Sequence, residues 1–464
     1  MRMLTRDIEL QDALLDLLDN CIDGIIRTGS SGSDVARPYH SFSAKLTLAA
    51  DRFIIEDNCG GIPKDHAEKY AFSMGRPLAI DGASHGATVG MYGIGMKRAI
   101  FKLGTEAHVE SHNDTGFLVK FTEAWMSDNE WNDLPMHKLV DGDLQQGCTR
   151  ITVTKLNDEA RSSFENNEWI DDFKRTVSRH YSLIIAKGFS VIVRSPTEID
   201  KHIDPISAEE FKLIETHAAQ GETKRIAPYI YAGKIGEVDI EIFAGLYRQL
   251  LSEEQAEDEE NTTGVSDDAG WTVACNDRVV IWKDKTRLTG WGEATVPNYH
   301  GQFIAITGIV LLRCDDPRKL PLTTTKRGID AASDVYSASK DLMRDATKQL
   351  TSFTNKWKKF PQKLEEIYKA SGYLDLSKLR SLPREESISS EMVKVHRSPD
   401  IRKFAPDYPE PEQAKTSTRV SFVALTSDVK ILAKHFFDDE SAKPGEVGEH
   451  AFMTTLKIAK QEQN

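Results

Sequence analysis

One stretch constrains this chain more than any other: "DALLDLLDNCIDGIIR", residues 12–27. Leu15, Leu18, Ile22 and Ile25 recur at helical spacing. Asp12, Asp16, Asn20 and Asp23 stand four, four and three residues apart, so they share another face of the same helix. A helix with one apolar side and one carboxylate–amide side ordinarily divides a core from solvent. On periodicity alone the polar stripe reads as a solvated surface. Motifs further along the chain turn that face toward a ligand.

With 464 residues, 39% of them hydrophobic, the chain is long enough for several domains with real cores. A net charge of −13 argues against a protein that binds nucleic acid chiefly by coating it. Cys21, Cys59, Cys148, Cys275 and Cys314 are scattered, with no zinc-knuckle or redox-pair spacing, as in a reducing compartment. The longest apolar run, "FIAITGIVLL", is too short to span a bilayer, and the N-terminus lacks a signal-peptide pattern. The expectation is a soluble, cytoplasmic protein without a membrane partner.

Residues 1–200 mix helical and strand patterns: "FIIEDN", "AHVESH", "FLVKFTEAW" and "TRITVTKL" read as strands, "IDDFKRTVSRHYSLII" as a helix and "FSVIVRS" as a strand. Residues 201–331 are strand-rich, interrupted by an acidic segment at 252–270 expected to be a surface loop. Residues 332–375 read as long helix broken near Pro361. Residues 376–418, rich in Pro, Ser and charge, read as a linker, and 419–464 as a small helical segment.

Three further motifs carry chemistry. "EDNCGGIP" (56–63) puts Asp57 at a strand end before Gly60 and Gly61, a turn by composition or a carboxylate beside backbone that a flat ring can approach. "GATVGMYGIGMKRAIFKLG" (86–104) places Gly93, Gly95 and Lys97 at the start of an apolar helix, where free N–H groups and the helix dipole favour an anion. It is neither a Walker loop nor a Rossmann fingerprint, since Arg98 follows Lys97 and the third glycine is missing. "GCTRITV" (147–153) is a strand beginning with Thr149.

The order of these motifs resembles the Bergerat-fold (GHKL) ATPases, which include DNA gyrase, the heat-shock chaperone, MutL, the MORC proteins and the histidine kinases. The resemblance covers about the first 200 residues by motif and, more weakly, the next 130. It implies an α+β chain: a Bergerat α/β sandwich ATPase domain, a transducer-like α/β second domain and a helical C-terminal region. It also implies ATP and Mg²⁺ as ligands. Asn20 resembles the Mg²⁺-coordinating Asn. Asp57 resembles the acceptor of the adenine amino group, with Thr149 supporting it and Gly61 giving the base room. Gly93, Gly95 and Lys97 resemble the end of the ATP lid, residues 73–96, and its phosphate contacts. Cys148 stands where many members carry Gly.

Asp16 stands where most members carry Glu, the general base. Asp is one methylene shorter, so its carboxylate is withdrawn by roughly 1.5 Å, and a placement error of about 1 Å can cost on the order of 10²-fold in rate. Either the helix sits closer to the phosphate, or hydrolysis is slow, or ATP is bound with little turnover. Asp19 points about 100° away from Asn20 and ranks below Asp16 as a base. "RKLPLTTTKRGID" (318–330) resembles the chaperone loop that delivers a basic residue to the γ-phosphate, here Lys326. "CNDRVVI" (275–281) is similar to the Asn-x-Arg strand of MutL-like second domains.

The resemblance implies an ATP-driven homodimeric clamp, nearest to the MORC branch, acting on DNA or in defence against foreign DNA. Alternatives are a chaperone-like ATPase acting on proteins and a nucleotide-binding scaffold. A histidine kinase lacks support, because no His is followed by Glu or Asp. "NKWKKFPQK" (355–363) is a local basic patch, read as a solvated helix face or a nucleic-acid contact.

Overall fold

The computed structural model describes residues 8–29, 37–72, 95–127, 134–140, 142–198, 202–216, 224–251, 268–323 and 328–358, then 360, 366–369, 371–384, 388, 392–394, 402–411 and 420–462. Residues 1–411 form one compact unit and 412–464 another.

The first sheet is built from β1 (Ser43–Leu48), β2 (Arg52–Asp57), β3 (Gly104–His112), β4 (Gly116–Phe121), β5 (Met136–Lys138), β6 (Cys148–Leu156) and β7 (Ser190–Arg194). Its order is β5-β4-β3-β6-β2-β1-β7. Only the β1–β7 pair is parallel. Burial alternates along β1, β2 and β6, so one face is covered and the other faces outward. The covered face (Leu46, Phe53, Val109, Val119, Val153) packs on helix α1 (Leu10–Thr28), helix α2 (Gly95–Leu103), the helix Asp158–Glu165 and helix α3 (Asn167–His180). This two-layer arrangement agrees with the expected α/β sandwich. β4 stops at Phe121, and the expected strand continuation at Glu123 turns into a short helix, with Thr122 Oγ1 accepting from the Trp125 N–H.

The second sheet takes β9 (Tyr229–Ile235), β10 (Val238–Leu246), β11 (Gly270–Cys275), β12 (Arg278–Asp284) and β13 (Ile306–Arg313). β11 and β13 are buried almost throughout, because this sheet has cover on both faces. Helix α4 (Asp334–Trp357) lies on one side, and Leu379, Leu382 and Leu183 fill the other. Asn276 and Asp277, at the β11–β12 turn, both have positive φ, the conformation that tight hairpins need. That turn carries Asp277 to Lys187 of the first layer and to Arg313, at 2.7 Å from the latter.

Residues 371–375, expected to be helical, form a strand, β14 (Ser371–Asp375), antiparallel to β8 (Lys212–Thr216). The 376–418 stretch, read as a linker, contains helix α5 (Leu376–Ser381) and β16 (Arg402–Phe404). β16 pairs with β9, and β15 (Val393–Lys394) pairs with β16. Long-range pairing overrides composition in both places. The last unit holds two helices, α6 (Thr426–Phe437) and α7 (Pro444–Glu462). The acidic segment lies outside the described residues from 252 to 267. Among the described residues no helix is long and apolar enough to cross a membrane.

Candidate functional site

The polar face of α1 is solvated only in part. Asp12 and Asp16 are buried, Asp23 is half-buried and Asn20 is exposed. The start of α2 covers Asp16: a Cβ on Gly95 would stand 3.3 Å from the Asp16 carboxylate carbon. The carboxylate therefore sits against a helix N-terminus, where a negative charge is favoured. Arg98 Nη2 donates to Asp16 Oδ2 at 3.2 Å. Lys97, one residue earlier, is buried, and burial pulls its ammonium down to about 8.

A second cluster forms where three strands run side by side. Asp57 of β2 pairs in register with Thr149 of β6, which pairs with Ser111 of β3. The Thr149 and Ser111 hydroxyls are 3.0 Å apart, and Ser111 Oγ accepts from the Ile62 N–H at 2.7 Å. The Cys59 N–H donates to Asp57 Oδ1 at 2.8 Å. Burial pushes the Asp57 carboxyl up to about 6, against the pull of that N–H, the Cys21 and Cys59 thiols and the nearby Arg27 guanidinium. Cys21 follows Asn20 in the chain; its Sγ donates to the Leu17 carbonyl at 3.4 Å and lies within 4.8 Å of an Asp57 carboxylate oxygen, which brings α1 close to the second cluster.

Glycines set the spacing. A Cβ on Gly24 would come within 2.6 Å of the Cys59 carbonyl oxygen, so α1 rests directly on the turn after β2. Gly61 has φ +68°, and the backbone of His112 and Asn113 fills the place where its Cβ would stand. What this glycine permits is the packing of the turn itself. Arg27 Nη2 donates to the Gly61 carbonyl at 2.9 Å, and Asn113 Nδ2 to the Gly60 carbonyl at 2.7 Å.

Asp19 faces the other way. Arg278 Nε donates to Asp19 Oδ1 at 3.0 Å, and the Arg278 guanidinium lies 4.5 Å from the Tyr181 ring centre. The Tyr181 hydroxyl stands 2.5 Å from Asp19 Oδ1 and 2.8 Å from the Leu15 carbonyl. All three side chains are buried. Arg278 comes from the second sheet, so one ion pair ties that sheet to the helix bearing Asp16 and Asn20.

Asp16, Gly95 and Arg98 thus meet at α1's polar face, with Lys97 beside Arg98 in the chain, while Asp57 stands in register with Thr149 and close to Cys21. Gly93 and the 73–94 stretch lie outside the described residues, as does Lys326. The base of the Lys326 loop is pinned by the Leu322–Ile329 bridge and by Thr323 Oγ1 donating to the Gly328 carbonyl at 3.1 Å. Sequence reasoning missed Ser111 and Arg27. Arg27 lies seven residues after Asn20, on the same helical face, and Ser111 emerges once "AHVESH" is aligned beside "TRITV".

Chemically, one end offers a desolvated carboxylate flanked by hydroxyls, suited to a flat ring with an N–H donor. The other offers an amide, a carboxylate and two cations at a helix start, suited to an anion and an oxygen-seeking divalent cation. Residues 8–139 match the family model described as Histidine kinase-, DNA gyrase B-, and HSP90-like ATPase. That span holds α1, α2 and Asp57, and the match supports a GHKL-type ATPase domain over it. No curated protein matches the chain.

Proposed function

We propose that this chain is a Mg²⁺-dependent ATP-binding switch of the GHKL type, hydrolysing ATP slowly and closing as a homodimer. The observation that carries the reading is the placement of Asp57, in register with Thr149 and close to Cys21 of the helix that also bears Asn20 and Asp16. In this reading Asp57 accepts the adenine amino group, with Thr149 and Ser111 holding its hydrogen-bond surroundings. Asn20 would hold Mg²⁺, an ion that prefers oxygen ligands and neutralises phosphate charge. Lys97 and the first turn of α2 would receive the phosphates. Lys326 would read the γ-phosphate, and the lid ending at Gly93 and Gly95 would close over the nucleotide. The switch draws its free energy from tighter ATP binding by the closed state.

Asp16 is the proposed general base, and its pairing with Arg98 bears on the rate. A carboxylate held by a guanidinium must give up that hydrogen bond, or keep it while orienting water, before it can take a proton. The same pairing favours a second reading, a nucleotide-binding scaffold with little turnover. Asp16→Asn separates them. In the switch, the variant binds ATP and loses at least about 10²-fold in steady-state hydrolysis. Hydrolysis at the parental rate would remove Asp16 as the base, and a parent with no turnover would leave the scaffold.

Closure is read by analytical ultracentrifugation of the whole chain, alone and with Mg²⁺ and a non-hydrolysable ATP analogue. The switch predicts a nucleotide-dependent shift from monomer to dimer, or a more compact dimer. Confirmed binding with unchanged mass and shape would overturn it.

The Asp57 carboxyl adds a pH dependence. Adenine binding requires the ionised acceptor, and in the free protein that form gives way to the protonated one below about 6. Affinity for adenosine is therefore flat above that pH and falls by about tenfold per unit below it. Calorimetric titrations between pH 5 and 8 (a range of about three units around the shifted group) test this, and affinity constant to pH 5 would refute it.

A further inference from the structure

We infer that Cys21, Cys59 and Asp57 form a binding site for a soft divalent cation of the zinc and cadmium class, and that this cation and adenine exclude one another. One ligand atom from each of the three side chains lies within 4.8 Å of the other two. Two rigid elements bring them there. Cys21 is on α1, one turn before Gly24, and Gly24 rests on the Cys59 carbonyl with no room for a Cβ. Asp57 and Cys59 are two residues apart at the end of β2, and the Cys59 N–H fixes Asp57 Oδ1.

The donor set selects the ion. Two sulfurs and one carboxylate oxygen suit a d¹⁰ cation that accepts thiolate, whereas Mg²⁺ and Ca²⁺ take oxygen ligands. Zn–S bonds of about 2.3 Å place tetrahedral ligands nearly 4 Å apart, so the three donors need to draw in by less than about 1 Å. Three protein ligands leave a fourth position for water. Binding converts both thiols to thiolates and releases their two protons to solvent; Asp57 contributes as carboxylate, and no electrons are exchanged. The site is separate in chemistry from the Mg²⁺ position proposed at Asn20.

Exclusion follows from the shared ligand. An Asp57 oxygen bound to the cation cannot also accept the adenine amino group. This half of the inference rests on the adenine role proposed for Asp57; cation capture does not.

The test is a Cd²⁺ titration of the full chain, kept reduced with a phosphine, following the ultraviolet thiolate-to-cadmium charge-transfer band. Cys21→Ser, Cys59→Ser and Cys148→Ser are compared with the parent. Adenosine, which has no phosphates to chelate the metal, is then titrated with and without Cd²⁺, and a circular-dichroism spectrum and thermal melt of each serine variant report that it folds. Expected are stoichiometric Cd²⁺ binding in the parent and in Cys148→Ser, half the band or none in Cys21→Ser and in Cys59→Ser, and loss of adenosine binding in the Cd²⁺-loaded parent. A band retained in full in Cys21→Ser and in Cys59→Ser, or lost in Cys148→Ser, overturns the cation site while leaving the adenine assignment intact. Cys21- and Cys59-dependent Cd²⁺ binding that leaves adenosine affinity unchanged overturns the exclusion and the adenine role of Asp57, and keeps the cation site.

Discussion

Asp57→Asn is expected to weaken adenine-nucleotide binding by at least about 100-fold, or roughly 3 kcal/mol. The size comes from counting acceptors. Asp57 Oδ1 already accepts the Cys59 N–H at 2.8 Å, so in the proposed site the carboxylate would meet adenine with its second oxygen. An amide has only one oxygen. If that oxygen keeps the Cys59 N–H, the amide NH₂ group confronts the adenine NH₂ group, donor against donor. If the amide flips, the buried Cys59 N–H loses its partner, at about 1–3 kcal/mol. Either orientation leaves a polar group unpaired, which is the condition under which sites discriminate most strongly. Isothermal titration with adenosine and with ATP checks this, and micromolar ATP binding retained by the variant would remove Asp57 from the adenine site. Because Asn carries no charge to desolvate, the fold is expected to survive the change, and a thermal melt of the variant separates lost binding from lost structure.

Arg278→Met carries the second large effect, on stability. Asp19 and Arg278 are both buried, at 1% and 2% exposure. Burial disfavours the Arg278 charge, and the facing Tyr181 and Asp19 outweigh that, raising its affinity for the proton. Removing the guanidinium strands the Asp19 charge with the Tyr181 hydroxyl, and breaking a buried pair from one side costs about 3–5 kcal/mol. Removing both charges in the combined variant Asp19→Asn, Arg278→Met is expected to recover more than half of that loss, since an isosteric uncharged pair leaves no orphaned ion. Urea unfolding followed separately for the two sheets tests both points. The parent is expected to unfold in one transition and Arg278→Met in two, because the guanidinium bridges α1, α3 and β12. A single variant as stable as the parent would refute the role of the pair.

Much of the first layer was legible because its signals are local. Alternation along "TRITVTKL" and the helical period of residues 12–27 state which side is buried, while Asp57 and Thr149 stand out through the order of motifs that resembles a known family. The polar face of α1 was harder to read. Period alone cannot tell a face that meets water from one that meets another helix, and Asp16 is covered by residues some eighty positions later, at Gly95 and Arg98. The sequence places Asp19 only by its angle from Asn20. Its partner Arg278 lies 259 residues away, and the "CNDRVVI" stretch that supplies it reads only as a strand similar to one in MutL-like second domains, with no stated target. Composition misled at 376–418, because Pro, Ser and charge describe solvent-facing residues as well as they describe a linker, and strand pairing is a backbone property that composition records poorly.

β16 carries a consequence for how the molecule is made. The first sheet has all its strands once residue 194 has been synthesised, and chains fold domain by domain as they emerge. The second sheet does not. β9, formed by residues 229–235, keeps one edge open until residues 402–404 arrive to pair with it. Until then its unpaired N–H and C=O groups are available to any extended chain nearby. Nascent chains of intermediate length therefore expose a sticky strand beside a finished first sheet, and any shortening that removes β16 makes that temporary hazard permanent. The segment whose composition looks most dispensable is the one that protects the molecule from its own copies.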